Sequence, residues 1–421
     1  MDEAALSALR ADPIDWRYKG FPAAVPPPTP ATIAERGWSL LRGDLPLPVL
    51  ALRDDAVEAN IATMRAWCAA QGASLAPHGK TTMAPELFRR QLDAGAWAIT
   101  VATIAQARVC AAFGVPRVLI ANEVADPAGL AWIGEAQRAG TEIWLLVDAP
   151  VAVERLVATR RPGDPPVRVL IEIGMPDGRA GARDAAAPDA AARAAHDAEG
   201  GILGGGAGWE GHINGDDPAV VEARVDAYLG EVRHALERFA AAGLLDAADE
   251  VVASAGGSAW FDRVAVVLRP AIDRPVRLVL RSGCTVTHDE GLYRRLSPFE
   301  RGRIGDGALV PALEAWAAVL SQPEPGLAIL GMGKRDVPFD IDLPAPRWRV
   351  RDGALEEIGA CDIVALNDQH AFLRGPAADG LLPGDVVVCG VSHPCTAFDK
   401  WRLLPLVDAE RRVTGALHTF F

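Results

Sequence analysis

Five stretches of the chain carry residue types that can do chemistry. In "ASLAPHGKTTM" (73–83) an apolar run ends in His78, Gly79 and Lys80. A lysine amine held at the end of a buried strand, in a turn stiffened by Pro77, can join an aldehyde as a Schiff base. A lone loop lysine is more often simply solvated, and only its neighbours in space decide between the two. "SAGGS" (254–258) and "RSGCT" (281–285) are small-residue turns. Gly256, Gly257 and Gly283 let backbone N–H groups approach phosphate oxygens, and the hydroxyls of Ser254 and Ser258 add donors. In "DVVVCGVSHPCTAFDKW" (385–401) His393 and Cys395 flank a proline. Imidazole and thiolate together suit zinc. H-x-C supplies two donors only, and a buried cysteine beside a structural histidine has the same spelling. "LNDQHAFL" (366–373) adds Asp368 and His370, as substrate contacts or as turn residues.

A strand-end lysine facing two phosphate-type turns points to pyridoxal 5'-phosphate, whose aldehyde needs the amine and whose tail needs the donors. The elements that must position these groups follow from periodicity. Short apolar runs alternate with helical spacing at 73–79, 96–103, 117–122, 142–148, 167–174, 208–213, 250–257 and 276–283. Continuous apolar runs are strands buried on both faces. Eight strand–helix units predict an α/β fold, a (β/α)8 TIM barrel, with an open doubly wound sheet as its rival. Lys80 and the two glycine turns then stand at carboxyl ends of strands, where barrels build their sites, and the turns follow strands seven and eight. The insert 177–206 reads as a loop with a short helix.

After residue 285 prolines and turns multiply. "GLAIL", "RWRVRDG", "CDIVALND" and "DVVVCG" predict a C-terminal β-rich domain. The expected division is an arm over 1–45, a barrel over 46–285 and a β-rich unit over 286–421. The arm and the 47–53 strand precede the first barrel unit and can join the β-rich one.

Half of the 421 residues are hydrophobic and 23% are charged, a globular composition with a net charge of −13. That charge argues against nucleic acid and against an anionic membrane as partners, since both require a basic face. The six cysteines form no CxxC pair, which suits a reduced, cytoplasmic protein. The acidic start lacks the pattern of a signal peptide, and no run of ~18 apolar residues predicts a membrane helix.

With these residues in hand, the chain resembles the metal-activated pyridoxal enzymes of the alanine-racemase-like fold, a family that includes D-serine dehydratase, D-threonine aldolase and bacterial amino acid deaminases. The likeness runs from about residue 45 to the end. "PHGKT" resembles the family's lysine motif, which implies Lys80 as the Schiff-base residue with His78 beside the cofactor. "EIGMPDGRAG" (172–181) is similar to its glutamate-and-GRxG segment and implies Arg179 near the cofactor ring. "SAGGSAWF" and "SGCTVTHD" resemble its phosphate turns, which adds Cys284. "SHPCTAFDKW" resembles the metal motif of the dehydratase branch, implying His393 and Cys395 as ligands of Zn2+ or another divalent metal. Thr82, Met83, Gln369 and Gly174 depart from the usual pattern, and "GWEGH" leaves Glu210 and His212 without family roles. The resemblance implies a homodimeric lyase acting on D-serine or D-threonine, with a small amino acid as its partner molecule, releasing a 2-oxo acid and ammonia. Retro-aldol cleavage to glycine and an aldehyde is the alternative. A cofactor carrier without turnover is a rival of another class, disfavoured by the extra β-rich unit and its metal motif.

Overall fold

The structure is a computed structural model and describes residues 1–184, 186–199, 202–305 and 307–421. Strand β1 (Val49–Arg53) comes first. Eight short strands follow: β2 (Ser74–Leu75), β3 (Ile99–Val101), β4 (Arg117–Ile120), β5 (Glu142–Val147), β6 (Arg168–Glu172), β7 (Leu203–Ala207), β8 (Val251–Ala255) and β9 (Val276–Leu280). They form one parallel sheet in the order β2-β9-β8-β7-β6-β5-β4-β3. The ends meet: Trp97 N donates to Leu75 O at 2.7 Å and Thr100 N to Pro77 O at 3.0 Å, so the sheet closes into the barrel. An inner cluster including Leu119, Leu146, Leu170, Val252 and Val279 fills it. Side chains from alternate positions pack outward against the helices.

The helices sit where the sequence places them. Asp54–Ala70 leads from β1 to the first barrel strand, Pro85–Asp93 follows Lys80, and the long Pro218–Ala241 follows β7, its N-terminus capped by Asp217.

One strand lies elsewhere than expected. The sixth barrel strand is "LGGGA" (203–207), and "GWEGHI" (208–213) is the loop after it. Glycine is a poor strand former by propensity, but here close approach demands it. A Cβ on Gly205 would stand 2.0 Å from Val252 O, and one on Gly204 2.6 Å from the Trp144 ring. The 177–206 insert holds a helix, Ala187–Asp197; its residues 185, 200 and 201 lie outside the described residues.

The second unit is a ten-stranded sheet. Its path is β13 (Ala354–Glu357), β12 (Ala345–Arg351), β16 (Val386–Gly390), β10 (Leu313–Glu324), β1, β17 (Leu403–Val407) and β18 (Val413–His418). β11 (Leu327–Leu330), β14 (Asp362–Leu366) and β15 (Ala371–Arg374) branch from β10. Strand β1 thus belongs to this sheet and not to the barrel, pairing antiparallel with β10 and parallel with β17. The arm covers one face of the same sheet: Ile14, Phe21, Ile33 and Leu40 pack with Val49, Trp316 and Val413. Among the described residues no helix is long and apolar enough to cross a membrane.

Candidate active site

The carboxyl ends of the barrel strands and one turn of the second sheet enclose a cavity of about 160 Å³. Lys80 and His78 line it from the turn after β2, Gly256, Gly257 and Ser258 from the turn after β8, and Gly283 and Cys284 from the turn after β9. Arg179 lines it from the loop after β6, and His393 and Cys395 from the turn after β16. Residues 200 and more apart in sequence therefore share one wall.

Closure of the barrel sets the local arrangement. Because β2 pairs with β9, the 281–285 turn lies beside the lysine turn, not across from it. The approach is tight: a Cβ on Gly283 would meet His78 O at 2.5 Å and Thr81 Oγ1 at 2.9 Å. Lys80 sits in a single 3-10 turn, Gly79–Thr81, with its neighbours packed and its amine left to the cavity. His78 is held neutral, first by burial and then by the charges of Lys80, Arg281 and Arg179. Its Nδ1 is buried without a partner.

Ser254 is not part of the cavity wall. It points into the barrel, where its hydroxyl donates to Val279 O at 3.0 Å and accepts from Arg281 Nη1 at 3.0 Å. Its place at the cavity is taken by Arg281, which sequence reading missed: a buried guanidinium that lines the site and donates its Nη2 to Gly208 O at 2.5 Å. Gly257 N–H is also committed, to Glu210 Oε1 at 2.7 Å. Cys284 N–H is committed too, to Ser258 Oγ at 3.2 Å, so the donors left facing the cavity are those of Ser258 and Gly283.

Arg179 is fixed from two sides. Nη2 reaches Glu172 Oε1 at 3.2 Å, and the guanidinium lies 4.9 Å from the centroid of the Trp209 ring. Trp209 is steadied by Tyr228, whose hydroxyl accepts Trp209 N–H at 2.8 Å and donates to Ile173 O at 2.6 Å. The Glu172 carboxyl has Glu123 as a close carboxyl neighbour. Burial first, and then Glu172, push the Glu123 carboxyl up to about 9. Gly174 fits only as glycine, since a Cβ there would meet Gly181 O at 2.5 Å.

The sulfur side of the cavity is dense. Cys395 Sγ is 3.3 Å from Thr81 Oγ1 and 3.3 Å from Cys284 Sγ. His393 adopts a left-handed backbone with φ 58° and directs Nδ1 to Asp340 Oδ2 at 2.5 Å. That carboxylate also accepts Thr396 Oγ1 at 2.8 Å. Hydrogen bonding to Cys395, then the Asp340 carboxylate, raise His393 to about 9. Among the described residues no three His, Cys, Asp or Glu side chains form a ready metal cage. The chain offers a two-donor pair with open positions, which suits a catalytic rather than a structural ion.

Asp368 and His370 are not brought to this cavity. They occupy the exposed turn between β14 and β15, where Asp368 faces Arg335 at 3.5 Å. His212 stacks against Trp209 at 5.3 Å with both ring nitrogens unpartnered.

The cavity fits a phosphorylated aldehyde. It offers one amine, an unpartnered buried imidazole nitrogen, two glycine turns without side chains in the way, and two buried or half-buried guanidinium groups.

Comparison with known proteins agrees with this layout. Residues 52–270 match the domain model described as "Alanine racemase, N-terminal domain", and residues 312–407 match a serine dehydratase domain. The chain is 29% identical to the D-threonine aldolase of Arthrobacter sp. over 385 residues, 89% of this chain and 91% of that enzyme. It is 33% identical to the D-threo-3-hydroxyaspartate dehydratase of Delftia sp. (strain HT23) over 212 residues, 49% of this chain and 54% of that enzyme. The crystal structure of D-threonine aldolase from Filomicrobium marinum superimposes with a TM-score of 0.76 at 22% identity, covering 91% of this chain and 97% of that one. A cysteine-to-alanine variant of D-threo-3-hydroxyaspartate dehydratase, in a metal-free form, superimposes with a TM-score of 0.71 at 24% identity, covering 91% and 99%. A barrel that closes on its own lysine turn, a β-rich partner sheet and these matches along the chain say the same thing: the protein belongs to the alanine racemase-like, fold type III family, with a serine dehydratase domain following its barrel.

Proposed function

We propose that the protein is a pyridoxal 5'-phosphate- and zinc-dependent lyase, a homodimer of the cytoplasm, that dehydrates D-β-hydroxy amino acids such as D-serine or D-threonine to a 2-oxo acid and ammonia. One observation carries the reading: a single cavity presents Lys80, the two glycine turns and the His393–Cys395 pair to one another. The aldolase and dehydratase names of the relatives support the substrate class. The metal-free form described for one dehydratase supports a metal in such enzymes.

Bound at Lys80, pyridoxal phosphate supplies an electron sink that acidifies the α-hydrogen of an amino acid. A metal on His393 and Cys395 supplies a Lewis acid for the β-hydroxyl. The chain's own groups do the rest. Lys80 Nζ is the amine for the aldehyde and the base for the α-proton. Arg179, clamped by Glu172 and Trp209, presents its planar guanidinium to the cavity. His78 stays neutral, so one of its ring nitrogens is a donor and the other an acceptor, and Nδ1 is free to meet a ligand in the cavity. The Ser258 and Gly283 donors, with the buried Arg281, take the phosphate. Asp340 fixes the His393 ring through Nδ1, beside Cys395.

A second reading, retro-aldol cleavage, uses the same groups and is favoured by the aldolases among the relatives. Cys395 favours elimination, since the aldolase branch, by resemblance, tends to carry aspartate there. Product analysis with D-threonine decides. Ammonia and 2-oxobutanoate support dehydration; glycine and acetaldehyde overturn it in favour of cleavage.

A further inference from the structure

We propose that Cys284 and Cys395 are a redox-responsive thiol pair that closes to a disulfide under a two-electron oxidant of the peroxide class. Their Sγ atoms stand 3.3 Å apart, a contact between two units of the fold: Cys284 belongs to the turn after β9 and Cys395 to the turn after β16. A disulfide needs the sulfurs at ~2.05 Å, so they close by roughly 1.3 Å. Both side chains sit on single 3-10 turns rather than inside strands, where rotamer changes and small turn shifts supply that movement. Thr81 Oγ1 touches both sulfurs, at 3.3 Å from Cys395 and 3.8 Å from Cys284, and keeps them on one side of the cavity. An oxidant arriving through the cavity meets Cys395 first, because it is partly exposed while Cys284 is buried. Among the described residues no other two cysteine sulfurs share such a contact.

The chemistry balances. Cys395 Sγ attacks the O–O bond of hydrogen peroxide, giving a sulfenic acid and one water. Cys284 Sγ then attacks that sulfur and displaces the hydroxyl as a second water, and the S–S bond forms. The two thiol protons end on the two oxygens, and the two electrons lost by sulfur reduce the peroxide. The product staples the barrel rim to the second sheet across 111 residues of sequence. It also removes the Cys395 thiolate from the metal pair and leaves His393 alone. This last consequence, reversible inactivation, rests on the proposed function.

The test uses the full chain stripped of metal, treated with hydrogen peroxide, with thiol counting and non-reducing peptide mass mapping. Expected are a fall from six free thiols to four, a single linked peptide joining 284 to 395, a higher melting temperature, and reversal by dithiothreitol. In C284S the link is absent and Cys395 oxidises past the sulfenic state. Thiols 284 and 395 that stay free, or pair with other cysteines, overturn the inference. Linkage is read without cofactor. A protein that links but never binds pyridoxal phosphate keeps this inference and loses the proposed function; one that binds cofactor and zinc but never links loses this inference alone. Zinc loading is expected to slow linkage, and an equal rate in loaded and stripped protein overturns the inactivation step.

Discussion

The backbone N–H of Gly257 donates to the buried Oε1 of Glu210 at 2.7 Å, so the first glycine turn is held from behind by the loop after β7. Burial keeps the Glu210 carboxyl above its ordinary range, so a neutral amide is its natural substitute. Removing the acceptor leaves a buried N–H unpaired, at about 1–3 kcal/mol. E210A is expected to weaken pyridoxal phosphate binding roughly tenfold, since each ~1.4 kcal/mol is a decade of affinity. E210Q keeps an oxygen for Gly257 and should bind close to wild type. Absorbance titration measures both; an E210A affinity equal to wild type shows that the turn needs no such support.

Glu123 gives the fold a pH dependence of definite sign. Its carboxyl is raised from 4.5 to about 9 by burial and by the Glu172 partner. The folded state therefore holds a proton that the unfolded chain releases above about pH 4.5. This contribution is complete below that pH and drains away as pH rises toward 9, at a slope approaching ~1.4 kcal/mol per unit. E123Q cannot titrate and still offers a donor to Glu172. Urea unfolding at pH 5 and pH 8.5 should show little difference at the acid end and a more stable E123Q at the alkaline end. Parallel curves for the two proteins would contradict the shared proton.

Much of this was written in the sequence because buried parallel strands have an unmistakable texture. The runs "RVLI", "EIWLLV", "RVLIE" and "VRLVL" are strands β4, β5, β6 and β9. Lys80, the glycine turns and the H-x-C pair were legible because unusual residue types sat at strand ends. What stayed hidden depends on neighbours in space. Strand β7 looks like a loop, and only Val252 and Trp144 explain its glycines. Ser254 looks like a phosphate donor until Arg281 is seen to claim its hydroxyl. Asp340 holds a residue 53 positions away and Tyr228 is anchored to one 55 positions away, which no local pattern announces.

Gly205 turns that lesson into a measurement. It has φ 147°, and a Cβ would lie 2.0 Å from the Val252 carbonyl, a backbone atom in the next strand. Nothing there can rotate aside. G205A is expected to cost more than ~4 kcal/mol and to yield little folded protein. Gly230, inside helix Pro218–Ala241, has no heavy atom within 4 Å of a built Cβ, so G230A should stabilise by about 0.5–1 kcal/mol. Thermal melts compare them, and a G205A melting near wild type would show that β7 and β8 can part.

Asp340 offers the sharpest check on the proposed metal pair, because it does not itself line the cavity and acts only through His393. It holds His393 Nδ1 at 2.5 Å and is itself held by Thr396. A histidine ligand oriented by a carboxylate keeps one tautomer and a fixed ring, and loss of such a partner costs roughly 10–100-fold in metal affinity. D340N should weaken zinc binding by that order, read by competition with a chromogenic chelator, while the visible absorbance of the lysine-linked cofactor is unchanged. Turnover of D-serine should then recover when zinc is raised, a rescue that general misfolding would not allow. In wild type, chelation should abolish ammonia release and leave the absorbance intact. K80A should lose that absorbance and leave zinc binding alone. If D340N and wild type hold zinc equally, the imidazole of His393 is not the ligand, and the metal belongs elsewhere in the cavity.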